Sequence, residues 1–107
     1  MFGFNEQIEP EVCGEGVTRK ILTHNEELMM VEVTFEKGAV GAEHTHIHRQ
    51  ISYIVKGSFE FNLDGDKRVV KKGDSILISG DVNHGVMALE DAVIVDVFTP
   101  MREDFLK

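Results

Sequence analysis

The stretch Glu43-His44-Thr45-His46-Ile47-His48-Arg49-Gln50, answered far along the chain by His84, decides how this sequence is read. Four of the five histidines fall in these two places. Side chains two apart on a strand share a face, so His44 and His46 point toward one ion, and a ligand on another strand helps to close the shell. Imidazoles suit zinc, iron, nickel and copper, and open positions remain for water or substrate. Residues 44, 46, 48 and 50 share parity, so a regular strand points all four inward. A bulge would rotate either His48 or Gln50 out of reach, and the spacing alone leaves both open.

The surrounding periodicity is that of strands. Met29, Val31, Val33 and Phe35 alternate with Met30, Glu32, Thr34 and Glu36, and Phe59, Phe61 and Leu63 alternate with Ser58, Glu60 and Asn62. Turn signals separate the runs: Lys37-Gly38, Lys56-Gly57, Asp64-Gly65-Asp66, Lys72-Gly73-Asp74 and Ser79-Gly80-Asp81. The Asp-Gly after Leu63 predicts a hairpin. Further strands are expected over 17–22, 51–55, 75–78, 84–89 and 92–99. The last is apolar on both faces and is therefore expected to be central. Met101 to Lys107 has room for a helical turn, and His24 reads as a surface turn residue. Many short strands at even spacing indicate an all-β sandwich or barrel.

A chain of 107 residues supports one domain, here 1–107, and one sizeable core. Its 42% hydrophobic content is ordinary for a globular protein, and no apolar run approaches the roughly 20 residues of a membrane helix. The N-terminus lacks the basic start and apolar stretch of a signal peptide. Cys13 is alone, which excludes an internal disulfide and fits a reducing cytoplasm. A formal charge of −8 opposes binding to phosphate backbones, so nucleic acid is not an expected partner. Lys67, Arg68, Lys71 and Lys72 have no interleaved aromatics and read as a solvated strand edge.

Two motifs resemble those of the cupins. Gly38-x5-His44-x-His46-x3-Gln50-x6-Gly57 is similar to the first cupin motif, with Gln50 where the family usually has Glu. Gly73-x5-Ser79-x-Asp81-x2-His84-x3-Ala88 is similar to the second, with Ser79, Asp81 and Ala88 in place of the usual Pro, Gly and Asn. The resemblance implies a double-stranded β-helix, a small jelly-roll barrel with a divalent transition metal inside (zinc, nickel, manganese or iron), and often a homodimer. By position the implied ligands are His44, His46, Gln50 and His84. A neutral Gln50 leaves the ion's double charge uncompensated, which weakens affinity but makes a stronger Lewis acid. That favours polarising an oxygen over redox chemistry.

The segment Val95-Asp96-Val97-Phe98-Thr99-Pro100-Met101-Arg102 is the second informative stretch. Asp96 interrupts an apolar strand on the face of Ile94 and Phe98. An acid inside a barrel costs free energy unless paired or protonated, and burial raises its pKa toward the range useful for proton transfer. Arg102 is placed to pair with Asp96 or to grip a substrate carboxylate. This ending, with Gly16 to Leu22 and Met30 to Val33, resembles the small pectin-degradation cupins of the KdgF type. Those proteins convert 4,5-unsaturated uronates to linear ketonised sugars, so the resemblance implies a small anionic sugar-acid substrate, isomerase-like chemistry, and functional roles for Asp96, Phe98 and Arg102. Two other functions are compatible with the same ligand pattern: an iron-dependent dioxygenase and a non-catalytic sugar-binding cupin.

Overall fold

A computed structural model describes residues 1–107. Ten strands follow one another: β1 (Glu11–Gly14), β2 (Val17–His24), β3 (Met29–Phe35), β4 (Val40–His44), β5 (Arg49–Lys56), β6 (Ser58–Leu63), β7 (Asp66–Lys71), β8 (Ser75–Ile78), β9 (His84–Ala88) and β10 (Ala92–Thr99). They form two antiparallel sheets, one of six strands in the order β1-β2-β3-β10-β5-β8 and one of four in the order β4-β9-β6-β7. The architecture is the all-β jelly roll. No helix is long and apolar enough to cross a membrane.

Local chemistry explains the corners. Asp64 and Gly65, both left-handed with φ of 51° and 88°, close the β6–β7 hairpin as the Asp-Gly pair predicts. At the β5–β6 corner Gly57 has φ of 76°, and a Cβ there would lie 2.6 Å from the Asp91 carbonyl oxygen. Only glycine fits where the chain crosses from one sheet to the other. In the turn before β9, Asp81 takes the left-handed position (φ 63°) where the second motif usually has glycine, a conformation that Asp tolerates better than most residues. Its N–H donates to the His46 carbonyl at 2.7 Å, tying this turn to the histidine-rich loop.

β10 is indeed central, paired with β3 on one side and β5 on the other. Its inward residues Ala92 and Ile94 pack with Ile54, Phe59, Phe35, Val17 and Ala88 in the main core. Phe35 and Phe59 meet edge to face, with centroids 5.1 Å apart. Burial of such large rings removes apolar area from water at about 25 cal/mol per Å², which is the main source of stability in a barrel of this size. A smaller cluster of Met29, Val31 and Phe98 packs against Phe105 and Met101. The tail forms one 3-10 turn, Glu103–Leu106.

Some expectations need correction. His24 is not in a turn: it is the last residue of β2 and is partly buried. The histidine-rich stretch is not one strand. β4 ends at His44 and β5 begins at Arg49, so parity cannot be carried from residue 44 to residue 50.

Candidate metal centre

Two strand ends and one loop build the centre. His44 closes β4, His84 opens β9 directly opposite it in the sheet, and His46 lies in the loop between β4 and β5. The rings converge, with centroid separations of 4.5 Å (His44–His84), 5.0 Å (His46–His84) and 5.4 Å (His44–His46). One ring nitrogen from each lies within 4.8 Å of the others, so the three histidines form a group that can hold a metal ion.

Which nitrogens face inward follows from the outer hydrogen bonds. His44 Nδ1 lies 2.8 Å from the Ala42 carbonyl, His46 Nδ1 lies 3.0 Å from that of His48, and His84 Nδ1 lies 2.9 Å from that of Val82. A carbonyl only accepts, so Nδ1 of His44 and of His84 carries the proton and their Nε2 keeps a bare lone pair, whereas His46 has an acceptor oxygen beside each ring nitrogen. Backbone carbonyls holding the far nitrogen are the usual support of metal-ligating histidines. Burial, with Arg102 and the neighbouring His84 adding to it, pushes His46 down to about 4. His84 is lowered too, first by burial. His46 is therefore neutral at ordinary pH, and burial biases His84 the same way.

Gln50 lies beside the three histidines, next to His46. Its Nε2 donates to Ser52 Oγ at 2.9 Å and to Asp96 Oδ1 at 3.0 Å, and Ser52 Oγ donates to the same carboxylate oxygen at 2.6 Å. An ionised carboxylate accepts only, so the amide nitrogen is committed to Asp96 and the amide oxygen is turned outward. That oxygen lies 3.0 Å from His46 Nε2. A neutral His46 donates to only one of its two oxygen neighbours, and with the proton on Nδ1 a cation can take its place between Nε2 and the amide oxygen. The residues present thus fit a divalent transition ion: three imidazole nitrogens and one neutral oxygen. His48 is not in the group. Its ring lies 5.5 Å from that of His46 and 6.5 Å from that of Phe98, and its buried Nδ1 has no hydrogen-bond partner.

A cavity of about 400 Å³ opens beside the histidines, lined by His44, His84, Gln50, Asp96, Phe98 and Arg102 among others. Asp96 is its one lining carboxyl group. Burial raises Asp96 to about 6, although the hydrogen bonds from Ser52 and Gln50 and the charge of Arg102 pull the other way. Arg102 does not pair with Asp96. Its guanidinium makes a two-point bond to Asp104, Nε to Oδ1 at 3.1 Å and Nη2 to Oδ2 at 2.9 Å, and this bond holds Asp104 below the usual carboxylate range. The near carboxylate on the 3-10 turn wins because it lies only two residues away and does not need to be desolvated.

Sequence reasoning did not find Arg19. It projects inward from β2 between Val17 and Ile21, lines the same cavity, pairs with Glu11 and lies over the Phe105 ring with its guanidinium carbon 3.9 Å from the centroid. Arg102 lies 4.2 Å from the same ring centroid, so two cations flank one aromatic at the cavity. The signal was present: Arg19 breaks the inward row of β2 as Asp96 breaks that of β10.

Comparison with known proteins agrees with this geometry. Residues 31–98 match the Cupin_2 family, a cupin domain. The pectin degradation protein KdgF of Dickeya dadantii (strain 3937) is 48% identical over 98 residues, covering 90% of this chain and 89% of that protein. The structure of KdgF from Halomonas sp. superposes with a TM-score of 0.95 at 40% identity, over 98% of this chain and 97% of that one. An RmlC-like cupin from Shewanella frigidimarina NCIMB 400 superposes with a TM-score of 0.94 at 44% identity, over 97% and 94% of the two chains. By its barrel, its three-histidine group and its relatives, this chain belongs to the cupin family, alongside the pectin degradation protein KdgF.

Proposed function

We propose that this protein is a metal-dependent cupin that converts 4,5-unsaturated uronates to linear ketonised sugars. The observation that carries the reading is a three-histidine group, two of whose members line a cavity that is also lined by a single carboxyl residue, Asp96, and by two arginines, Arg19 and Arg102. The likeness to KdgF, a pectin degradation protein, supplies the substrate class.

His44, His46, His84 and the Gln50 amide oxygen would hold the ion, which is zinc, nickel, manganese or iron on this donor set. When bound, it supplies Lewis-acid stabilisation of negative charge developing on oxygen. The rest falls to the chain's own side chains. Arg102, helped by Arg19, holds the substrate carboxylate. Phe98, whose ring stands 5.8 Å from that of His46, shapes the cavity and limits water. In the reaction the C1–O5 bond of the cyclic sugar breaks as the C1 hydroxyl loses its proton, and the enolate left at C5 takes a proton at C4. The result is an isomerisation with no net gain or loss of atoms. Asp96 is the group placed to take the proton released from the C1 hydroxyl and to deliver it to C4. Ser52 and Gln50 orient its carboxylate.

The active unit we propose is the single domain 1–107, working in the cytoplasm as a homodimer. The outer face of the six-stranded sheet, with Ile51, Tyr53 and Leu77 exposed, is offered to a second copy. Light scattering on the purified chain tests the dimer. The reaction is tested by incubating metal-reconstituted protein with unsaturated galacturonate and following loss of the conjugated double bond by absorbance. Acceleration over the spontaneous rate that a chelator removes is the expected result. Binding without acceleration would discard the enzyme in favour of a sugar-acid-binding cupin, and oxygen consumption would point to a dioxygenase.

A further inference from the structure

His44 and His84 face each other only because β4 is out of step with β9. Gly41 lies opposite Val86 and His44 opposite His84, so Ala42 and Glu43 together oppose the single residue Gly85. Val86 and Gly41 both line the cavity. Strict alternation from Gly41 would put residue 44 on the outer face; the one extra residue turns it inward. A bulge of this kind interrupts the ladder bonds that would otherwise fix the register, so something else must hold it.

The side chain of Glu43 does so from outside the barrel. It runs over the bare Cα of Gly85, where a Cβ would lie 2.7 Å from Glu43 Cγ and 3.0 Å from its Cα. Beyond Gly85, its partner in β6 is Asn62. Asn62 Nδ2 donates to Glu43 Oε2 at 2.8 Å, and Asn83 Nδ2 donates to Oε1 at 2.8 Å. The Gly65 N–H donates to Asn62 Oδ1 at 2.9 Å, which leaves the amide nitrogen of Asn62 to face Glu43. One carboxylate is thereby fastened to β6 and to the residue that precedes His84. Glu43, Asn62 and Asn83 do not line the cavity.

We propose that Glu43 is a positioning residue: gripped by Asn62 and Asn83 across Gly85, it locks the β4 bulge in the register that aims His44 at His84. The inference rests on these histidines holding an ion and is independent of the substrate. Supporting groups behind metal ligands are worth about 10- to 100-fold in affinity. Glu43→Gln keeps the length but turns an NH2 group toward one of the two asparagine NH2 groups, and one bond is lost. Asn83→Asp alone sets two carboxylates against each other. The double variant restores both bonds at unchanged net charge, because the new amide donates to the new carboxylate and still accepts from Asn62.

The test is cobalt(II) affinity by chelator competition, with the ligand-field spectrum of the bound ion, on the full chain and with melting of the metal-free proteins measured alongside. Each single variant should bind cobalt about tenfold more weakly with an altered spectrum, and the double variant should return to within about threefold of wild type with the spectrum restored. Single variants that bind as tightly as wild type overturn the positioning role, as does a double variant as weak as the two losses combined. A lowered melting temperature with unchanged affinity and spectrum also overturns it. Failure of the wild-type chain to bind cobalt, zinc, nickel or manganese would overturn the metal centre itself, an outcome distinct from metal binding that ignores Glu43.

Discussion

The two ends of the barrel are built from the same strands and have opposite characters. Inward positions on β5 run Gln50, Ser52, Ile54; on β9 they run His84, Val86, Ala88; on β10 they run Ala92, Ile94, Asp96, Phe98. At one end Ile54, Ala88, Ala92 and Ile94 close around Phe35 and Phe59. At the other, Gln50, Ser52, His84 and Asp96 hold one another by hydrogen bonds or face the cavity. Each strand changes from packing to chemistry in two residues, roughly 7 Å. The packed end supplies stability and the polar end spends some of it, and the raised pKa of Asp96 is the sign of that cost. The packed half holds the strands whose ends bring the three imidazoles together.

If that division is right, changes at the two ends separate activity from stability. At the polar end Asp96→Asn should lower turnover of unsaturated uronate by about 100- to 10,000-fold while the metal content, read by elemental analysis, stays at the wild-type level. An Asn variant that keeps the wild-type rate would remove Asp96 from the mechanism. At the packed end Phe59, which is fully buried, gives the opposite result. Phe59→Ala should cost about 3–5 kcal/mol in denaturant unfolding, while the folded fraction keeps its metal affinity and its turnover per folded molecule. Loss of metal affinity in that fraction would show that the two ends are one mechanical unit.

The same division has a pH signature in metal-free protein. The folded carboxyl of Asp96 titrates near 6, above its ordinary value of 3.8. Between those values the folded state holds more protons than the unfolded state, so this group's contribution is fully present below the unfolded pKa and is lost as pH rises through the folded one. Asn at this position carries no such penalty. The stability of Asp96→Asn relative to wild type should therefore grow between about pH 4 and pH 7, by about 1–3 kcal/mol once partial hydration of the cavity is allowed for. A difference that stays flat with pH would mean that water in the cavity solvates the carboxylate as well as bulk water does.

How much of this was legible in the sequence depended on which strands have a buried face. β3, β6 and β10 alternate or run apolar, and their bounds could be read to within a residue or so. β1 and β7 could not: they are sheet edges, almost wholly exposed, with no apolar row to betray them. β7 showed only as edge lysines. The histidines and Asp96 stood out because polar residues in such positions need a reason. The bulge at Ala42–Glu43 left no trace, because a one-residue slip does not change composition. The partner of Arg102 was equally invisible, since it depends on how the 3-10 turn folds back after β10.

Arg19 gives the smallest of these effects and the finest test of where the polar end stops. Its guanidinium packs on Phe105, and its Nε is taken by Glu11. If packing is its whole role, Arg19→Met, which keeps the bulk and loses the charge, should leave KM alone. If it shares the substrate carboxylate with Arg102, two or more charge-assisted bonds disappear, and KM should rise about tenfold with kcat within about twofold of wild type. The methyl ester of the same sugar, lacking the negative charge, should show no such rise in KM. An equal change for acid and ester would assign Arg19 to the packing of the tail, and the polar end would then stop at Arg102.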